Sequence, residues 1–281
     1  MASTIFLRMV ILCAMTASHE TARRALVTGA AGAIGKAIAA GLAKQGYQVT
    51  AVVRSARQGD SVVQSLPGIA TASMTYETCD LSLHTDICEL AEKWRGPLHV
   101  LVNNAATCPR KRTENNEGIE MQWATNVLGY FRMIQAFEEA LTAANDARVV
   151  NVASYWAGGL QLNDVEFRTR RYNNDSAYRQ SKQADRMLTR AFSEQFADTR
   201  VTVNCCHPGD VRSKLSGDLG FGGHETPAQG AATPLYLATS PDVAHQSGQY
   251  FAHCSQQPCA FSEQVDAVRQ LFNICATYDR A

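Results

Sequence analysis

The sequence predicts a doubly wound α/β domain: a parallel sheet of about seven strands with helices on both faces. Short apolar runs alternate with segments of helical periodicity from residue 24 onward, which implies right-handed crossovers and a sheet covered on both sides. A glycine-rich turn, Thr28-Gly29-Ala30-Ala31-Gly32-Ala33-Ile34-Gly35, joins the first apolar run to the first amphipathic helix. No linker-like segment interrupts the chain beyond this turn, so residues 23–281 read as one domain behind a hydrophobic lead-in at 1–22.

Arg24–Thr28 is a short buried strand. Ile34–Gln45 is a helix with Ile34, Ala37, Ile38, Gly41 and Leu42 on one face and Gly46 as its stop. Gln48–Val53 and Met74–Cys79 are the second and third strands, and Ser82–Arg95 is a helix with Ser82 as its cap. Val100–Val102 is a strand after the breaker Gly96-Pro97, and Glu117–Ala143 is a long helix. Arg148–Val152 and Val201–Cys205 are strands flanking a helix at Tyr178–Phe196. Pro227–Ala238 is a helix, and Gly248–Phe251 ends the series as a short strand.

Twenty-six basic and 26 acidic residues leave no formal net charge, so nothing points to nucleic acid or an anionic surface as partner. The nine cysteines show no zinc spacing, and no metal is expected. Cys205 and Cys206 are strand neighbours on opposite faces, whereas Cys254 and Cys259 are close enough in sequence to pair or to stay free. The set reads as mostly buried thiols of a reducing compartment, which favours the cytoplasm. Residues 5–17 leave alternatives open: too short to span a bilayer comfortably, they fit a membrane-touching segment or a packed lead-in, or hold a signal-peptide core at Val10–Ala17.

Two features carry chemistry. Tyr178 and Lys182 are four residues apart on a helix and so share one face. An ammonium beside a phenol lowers the phenol's pKa and lets it exchange a proton near neutral pH. At the other end, the glycine turn lets backbone approach a pyrophosphate at a helix N-terminus. After the second strand come Val52-Val53-Arg54-Ser55-Ala56-Arg57, with no acid before Asp60. An acid there would repel a 2′-phosphate, whereas Arg54 can form paired hydrogen bonds to one. The balance favours NADP(H) over NAD(H), with a solvated basic loop as the bland alternative.

With these motifs in order, the chain resembles the short-chain dehydrogenases/reductases from about Arg23 to Tyr278. Cys79-Asp80-Leu81-Ser82, Asn103-Asn104-Ala105-Ala106, Asn126-Val127-Leu128-Gly129, Val152-Ala153-Ser154 and Pro208-Gly209 complete the resemblance. It implies a Rossmann-type fold in which Gly29, Ala31, Gly32, Ala33, Ile34 and Gly35 border the cofactor. The family usually has Thr-Gly-x-x-x-Gly-x-Gly, and here Ala33 stands at the middle glycine position. The resemblance makes Tyr178 the proton donor or acceptor and Lys182 the group that lowers its pKa and binds the nicotinamide ribose. Ser154 would orient the substrate oxygen, and Asn126 would hold a water connecting Lys182 to solvent. Asp80 and Leu81 would border adenine, with Asn104 and Ala105 beside the adenosine ribose. Beyond Pro208-Gly209, the Val211 backbone and Ser213 hydroxyl would hold the carboxamide.

The Ser154-to-Tyr178 spacing of 24 residues, the insert Gly159–Val165 and the run Ser247–Phe251 resemble retinol dehydrogenases and their relatives. The segment at about 214–226 stands where relatives place a longer, more apolar substrate lid. Its Gly217, Gly220, Gly222 and Gly223 predict a flexible lid offering little surface to a long lipid. The expected activity is hydride transfer between a nicotinamide and a small carbonyl or alcohol substrate. The alternative is a non-catalytic NADP(H)-binding sensor or scaffold, although such a binder has no need of a Tyr-Lys-Ser-Asn set. The helices from Glu117 and Tyr178 also resemble the family's dimer-forming pair, so a homodimer is an expectation by analogy.

Overall fold

The computed structural model describes residues 22–65 and 73–279, and the lead-in with its signal and membrane readings lies outside them. Eight strands form one sheet: β1 Arg24–Thr28, β2 Gln48–Val53, β3 Met74–Thr78, β4 Val100–Asn103, β5 Arg148–Val152, β6 Thr202–His207, β7 Tyr250–Ala252 and β8 Ser255–Gln257. Their order is β3-β2-β1-β4-β5-β6-β7-β8. All neighbours pair parallel except β7 with β8. The strand order reverses between β1 and β4, and a crevice at such a switch point is where open α/β sheets bind ligands.

The helices are α1 Ala33–Lys44, α2 Ala56–Gln64, α3 His84–Lys93, α4 Gly129–Ala136, α5 Glu138–Thr142, α6 Asn174–Gln195, α7 Lys214–Asp218, α8 Pro227–Thr239 and α9 Val265–Thr277. Two apolar cores form because strand side chains alternate in direction. Ala25, Val27, Val100, Val102 and Val150 pack with Ile38 and Leu42 of α1 and Leu237 of α8. Leu26, Leu101, Val149 and Val203 face the other way, onto Phe131 of α4, Phe192 of α6 and Leu271 of α9. Burial on both faces explains why the central strands read as unbroken apolar runs.

The seven expected strands are present, and the eighth, Ser255–Gln257, is an exposed polar edge strand with no hydrophobic signal. The expected long helix over 117–143 is broken. A backbone bridge pairs Glu114 with Glu120, and a π-helical turn at Trp123–Leu128 then leads into α4 and α5. The expected helix at Tyr178 begins earlier, at Asn174, because the Asn173 side chain accepts from the Ser176 amide at 2.9 Å and caps it. Ser82 does not cap its helix. Leu83 holds the N-cap position, and the Ser82 hydroxyl donates instead to Asp80 at 2.8 Å. The cysteines among the described residues, Cys254 and Cys259 included, are unbridged. No helix among those residues is long and apolar enough to cross a membrane.

Candidate active site

The glycine turn is held against the loop after β4. The Thr28 hydroxyl accepts the amides of Asn104 and Ala105 at 2.9 and 3.1 Å, and Asn104 Nδ2 donates to the Thr28 carbonyl at 2.9 Å. Backbones this close leave no room for side chains. A Cβ on Gly29, which has φ +62°, would meet Ala105 Cα at 2.7 Å. A Cβ on Gly35 would lie 2.4 Å from the Gly29 carbonyl and 2.6 Å from Asn104 Nδ2. Ala33 is the first residue of α1, where a methyl group is readily accommodated. Gly32 at the N-cap offers no side-chain acceptor, so the first-turn amides from Ala33 to Gly35 stay open to an anion. These features fit a dinucleotide's pyrophosphate.

The basic loop after β2 is the start of a helix. Ser55 is the N-cap of α2, its hydroxyl makes no capping bond, and Arg54 beside it is exposed. The Arg54 amide donates to Gln58 at 3.1 Å, which leaves the guanidinium unengaged by that contact. A free hydroxyl, open helix amides and a guanidinium together fit a phosphate. At the next strand end, the Asp80 carboxylate accepts the Ser82 amide at 3.0 Å as well as its hydroxyl, and Leu81 is buried in the core.

The candidate catalytic wall is one face of α6. Tyr178, Lys182, Asp185 and Thr189 follow one another at helical spacing, and all are buried. Tyr178 lines the same cleft as Ser154, which stands just beyond β5 and acts on the Tyr178 hydroxyl. Ser154 Oγ also accepts the Trp156 amide at 3.1 Å, so its own proton is free to be donated. Burial pushes the Tyr178 phenol well above the usual tyrosine range, with the neighbouring Ser154 hydroxyl drawing it partly back. This differs from the lowered pKa that the Tyr-Lys spacing implied.

The reason is where Lys182 points. Its Nζ donates to Asp185 Oδ2 and the Val152 carbonyl, each at 2.9 Å, and reaches the Tyr130 hydroxyl at 3.5 Å. It stands 5.9 Å from the centre of the Tyr178 ring. Asn126 lies in the π-helical turn and is fully buried. Its side chain accepts the Thr107 amide at 2.8 Å and donates to the Thr107 carbonyl at 3.1 Å and to Ser181 Oγ at 3.2 Å. These contacts tie the loop after β4 to α6 and leave Lys182 to other partners.

One cleft is lined by Ile34 from the glycine turn, Ser154 and Tyr178 from the catalytic wall, and Pro208, Gly209, Val211 and Ser213 beyond β6. Arg54, Asp80 and Leu81 lie apart from it, at the ends of β2 and β3, as expected for a long dinucleotide. Ser213 caps α7 through its hydroxyl, which accepts the Ser216 amide at 3.1 Å. The lid is more tied down than its glycines suggested. The His224 and Glu225 amides donate to the Asp210 carbonyl at 2.9 and 3.0 Å, and Phe221 packs against Trp156 with ring centres 4.6 Å apart.

Several residues of this region escaped the sequence reading. Arg186 donates to the Ser154 carbonyl at 2.5 Å and lies 3.5 Å over the Tyr250 ring. His207 lines the cleft against Tyr155, and burial lowers its pKa to about 4. Asp185 and Tyr130 hold Lys182. Only Asp185 and Arg186 gave a usable signal, as charged residues one turn beyond Lys182 on the same helix.

The short chain dehydrogenase family model matches residues 23–220. A probable oxidoreductase of Streptomyces antibioticus is 35% identical over 82% of this chain and 85% of its own length. Retinol dehydrogenase 13 of Homo sapiens is 30% identical over 88% of this chain and 81% of its own length. A crystal structure of an uncharacterized protein from Mycobacterium Paratuberculosis superposes with a TM-score of 0.76 at 25% identity, covering 91% of this chain and 92% of that one.

Proposed function

Because the chain belongs to the short-chain dehydrogenase family and is of the retinol dehydrogenase-like kind, we propose that it is an NADP(H)-dependent oxidoreductase acting on a carbonyl or alcohol. The observation that carries this reading is the Ser154–Tyr178 pair in the same cleft as Ile34 of the glycine turn. The bound nicotinamide supplies or accepts the hydride. Ser154 donates to the substrate oxygen and fixes its position beside the Tyr178 hydroxyl. Tyr178 gives that oxygen a proton during reduction and takes it back during oxidation. The phenol's raised pKa keeps the proton in place in the free protein, ready for donation to a carbonyl.

Arg54, Ser55 and the open start of α2 support NADP(H) rather than NAD(H). Tyr155 and Phe221, two of the large apolar side chains most exposed among the described residues, flank the cleft beside Trp156, Leu215 and Leu219. That lining supports a substrate with an apolar substituent on its carbonyl carbon. The test is a panel of aldehydes, ketones and alcohols assayed with both cofactors by nicotinamide absorbance, using wild type and Tyr178→Phe. Wild-type turnover that Tyr178→Phe abolishes is expected. Tight NADPH binding without turnover on any member would favour the sensor or scaffold.

A further inference from the structure

Asp185 is a buried acid that proton transfer from Tyr178 does not itself require. Its side chain is shielded from solvent, and Oδ2 accepts from Lys182 Nζ at 2.9 Å while Oδ1 is buried without a hydrogen-bond partner. A half-satisfied buried carboxylate is a poor device for stability alone, because the desolvation of two charges is offset only by complete hydrogen bonding. What the pair does achieve is placement. Asp185, the Val152 carbonyl and Tyr130 between them take the three donors of the Lys182 ammonium, and none of these acceptors is Tyr178.

We propose that Asp185 is a positioning residue that anchors Lys182 beside β5 and offsets its charge, so that Tyr178 feels less of the ammonium than the Tyr-Lys spacing implies. The inference rests on Tyr178 being the proton donor. An ion pair acts on a third group as a dipole, and its field falls off faster than that of a lone cation. Burial pushes the Asp185 carboxyl above the usual carboxylate range, and Lys182 draws it back. Other titratable groups face the pair from Tyr130 on α4, Cys205 and Cys206 on β6 and Cys275 on α9. Tyr178 faces it from α6, Cys108 faces Tyr178, and Arg186 faces Cys205. Among them Arg186 carries a full charge, and it is committed to the Ser154 carbonyl and the Tyr250 ring.

Asp185→Asn keeps the shape and removes the charge. Two readings are taken on the full chain: the pH at which alcohol oxidation appears, and the NADPH dissociation constant by fluorescence. The oxidation limb is expected to move down by about one pH unit, a gain of about tenfold on its rising part, as Lys182's charge reaches Tyr178. NADPH affinity is expected to tighten by about three- to tenfold as the ammonium becomes free to donate to the ribose. Asp185→Glu should restore wild-type behaviour. A shift in either reading that Asp185→Glu reverses supports the proposal. An unchanged limb with unchanged affinity, and only a lower Tm, overturns it.

Should Asp185→Asn fail to fold, Lys182→Met decides: an oxidation limb that stays within about half a pH unit of wild type shows the ammonium already offset and supports the proposal, and one that moves up by about a unit or more overturns it. Tyr178→Phe keeps the two levels apart. If it retains turnover, the reading of the site fails. If it is inactive while the Asp185→Asn readings stay put, this inference alone fails.

Discussion

The two ends of the cleft are built in opposite ways. At the glycine turn, short side chains bind backbone: the Thr28 hydroxyl and the Asn104 amide each hold the other residue's main chain, and the space where larger side chains would stand is occupied. At the catalytic wall, buried polar side chains hold one another, and some are unsatisfied, including Asp185 Oδ1 and His207 Nδ1. The turn is therefore settled by shape, and a change there should act on binding. The wall is settled by charge, and a change there should act on proton transfer and pH dependence.

Tyr178→Phe should break the contrast most sharply. Turnover is expected to fall by about 10² to 10⁴, the range for general acid–base groups, with NADPH affinity nearly unchanged. Steady-state kinetics and a binding titration check it, and turnover within twofold of wild type would show that Tyr178 carries no proton. Gly35→Val is the complementary break. Its side chain would drive into the Gly29 carbonyl and Asn104, at a cost of about 1–3 kcal/mol that should appear as weaker cofactor binding and lower Tm. Retained NADPH affinity in that variant would mean that the turn is not the cradle.

Arg54→Asp sharpens the comparison at the far end of the cofactor. One charge-assisted contact is worth about 1.5–3 kcal/mol, or roughly ten- to a hundredfold, and the new carboxylate repels a 2′-phosphate. The ratio of kcat/KM for NADPH over NADH should reverse. An unmoved ratio would place the guanidinium in solvent.

The smallest effect concerns His207. Its folded pKa of about 4 lies below the ordinary histidine value of 6.5, so the folded state disfavours the protonated ring. The associated stability is fully present above pH 6.5, declines as pH falls toward 4 and is lost below it. Between pH 7 and pH 5 the loss amounts to about 2 kcal/mol, at about 1.4 kcal/mol per pH unit below 6.5. His207→Gln should therefore lose less Tm than wild type between pH 7 and pH 5, as thermal unfolding would show. Parallel losses would leave His207 without a part in acid sensitivity.

The same contrast separates what the sequence made legible. Strands buried on both faces and the glycine turn announce themselves locally, through Ala25–Val27 and Thr28–Gly35. α2 does not, because Val62 is the one large apolar residue it buries and Arg54 and Arg57 read as loop. α9 carries a helical period in Val268, Leu271 and Cys275, yet the elements expected from the sequence end at Phe251 and leave it out. In the site, Tyr178, Lys182 and Ser154 are visible as residue types at known spacing. Where the Lys182 ammonium goes is not, since it depends on β5 and α4 from distant parts of the chain.

The last helix has a further consequence for assembly. Phe272 of α9 completes a triangle with Phe131 of α4 and Phe192 of α6, with ring centres 5.1 to 5.4 Å apart. Two copies meeting through α4 and α6 would find that face already occupied by α9. Lifting α9 re-exposes Val268, Leu271 and Phe272, at a cost on the order of 5 kcal/mol per copy.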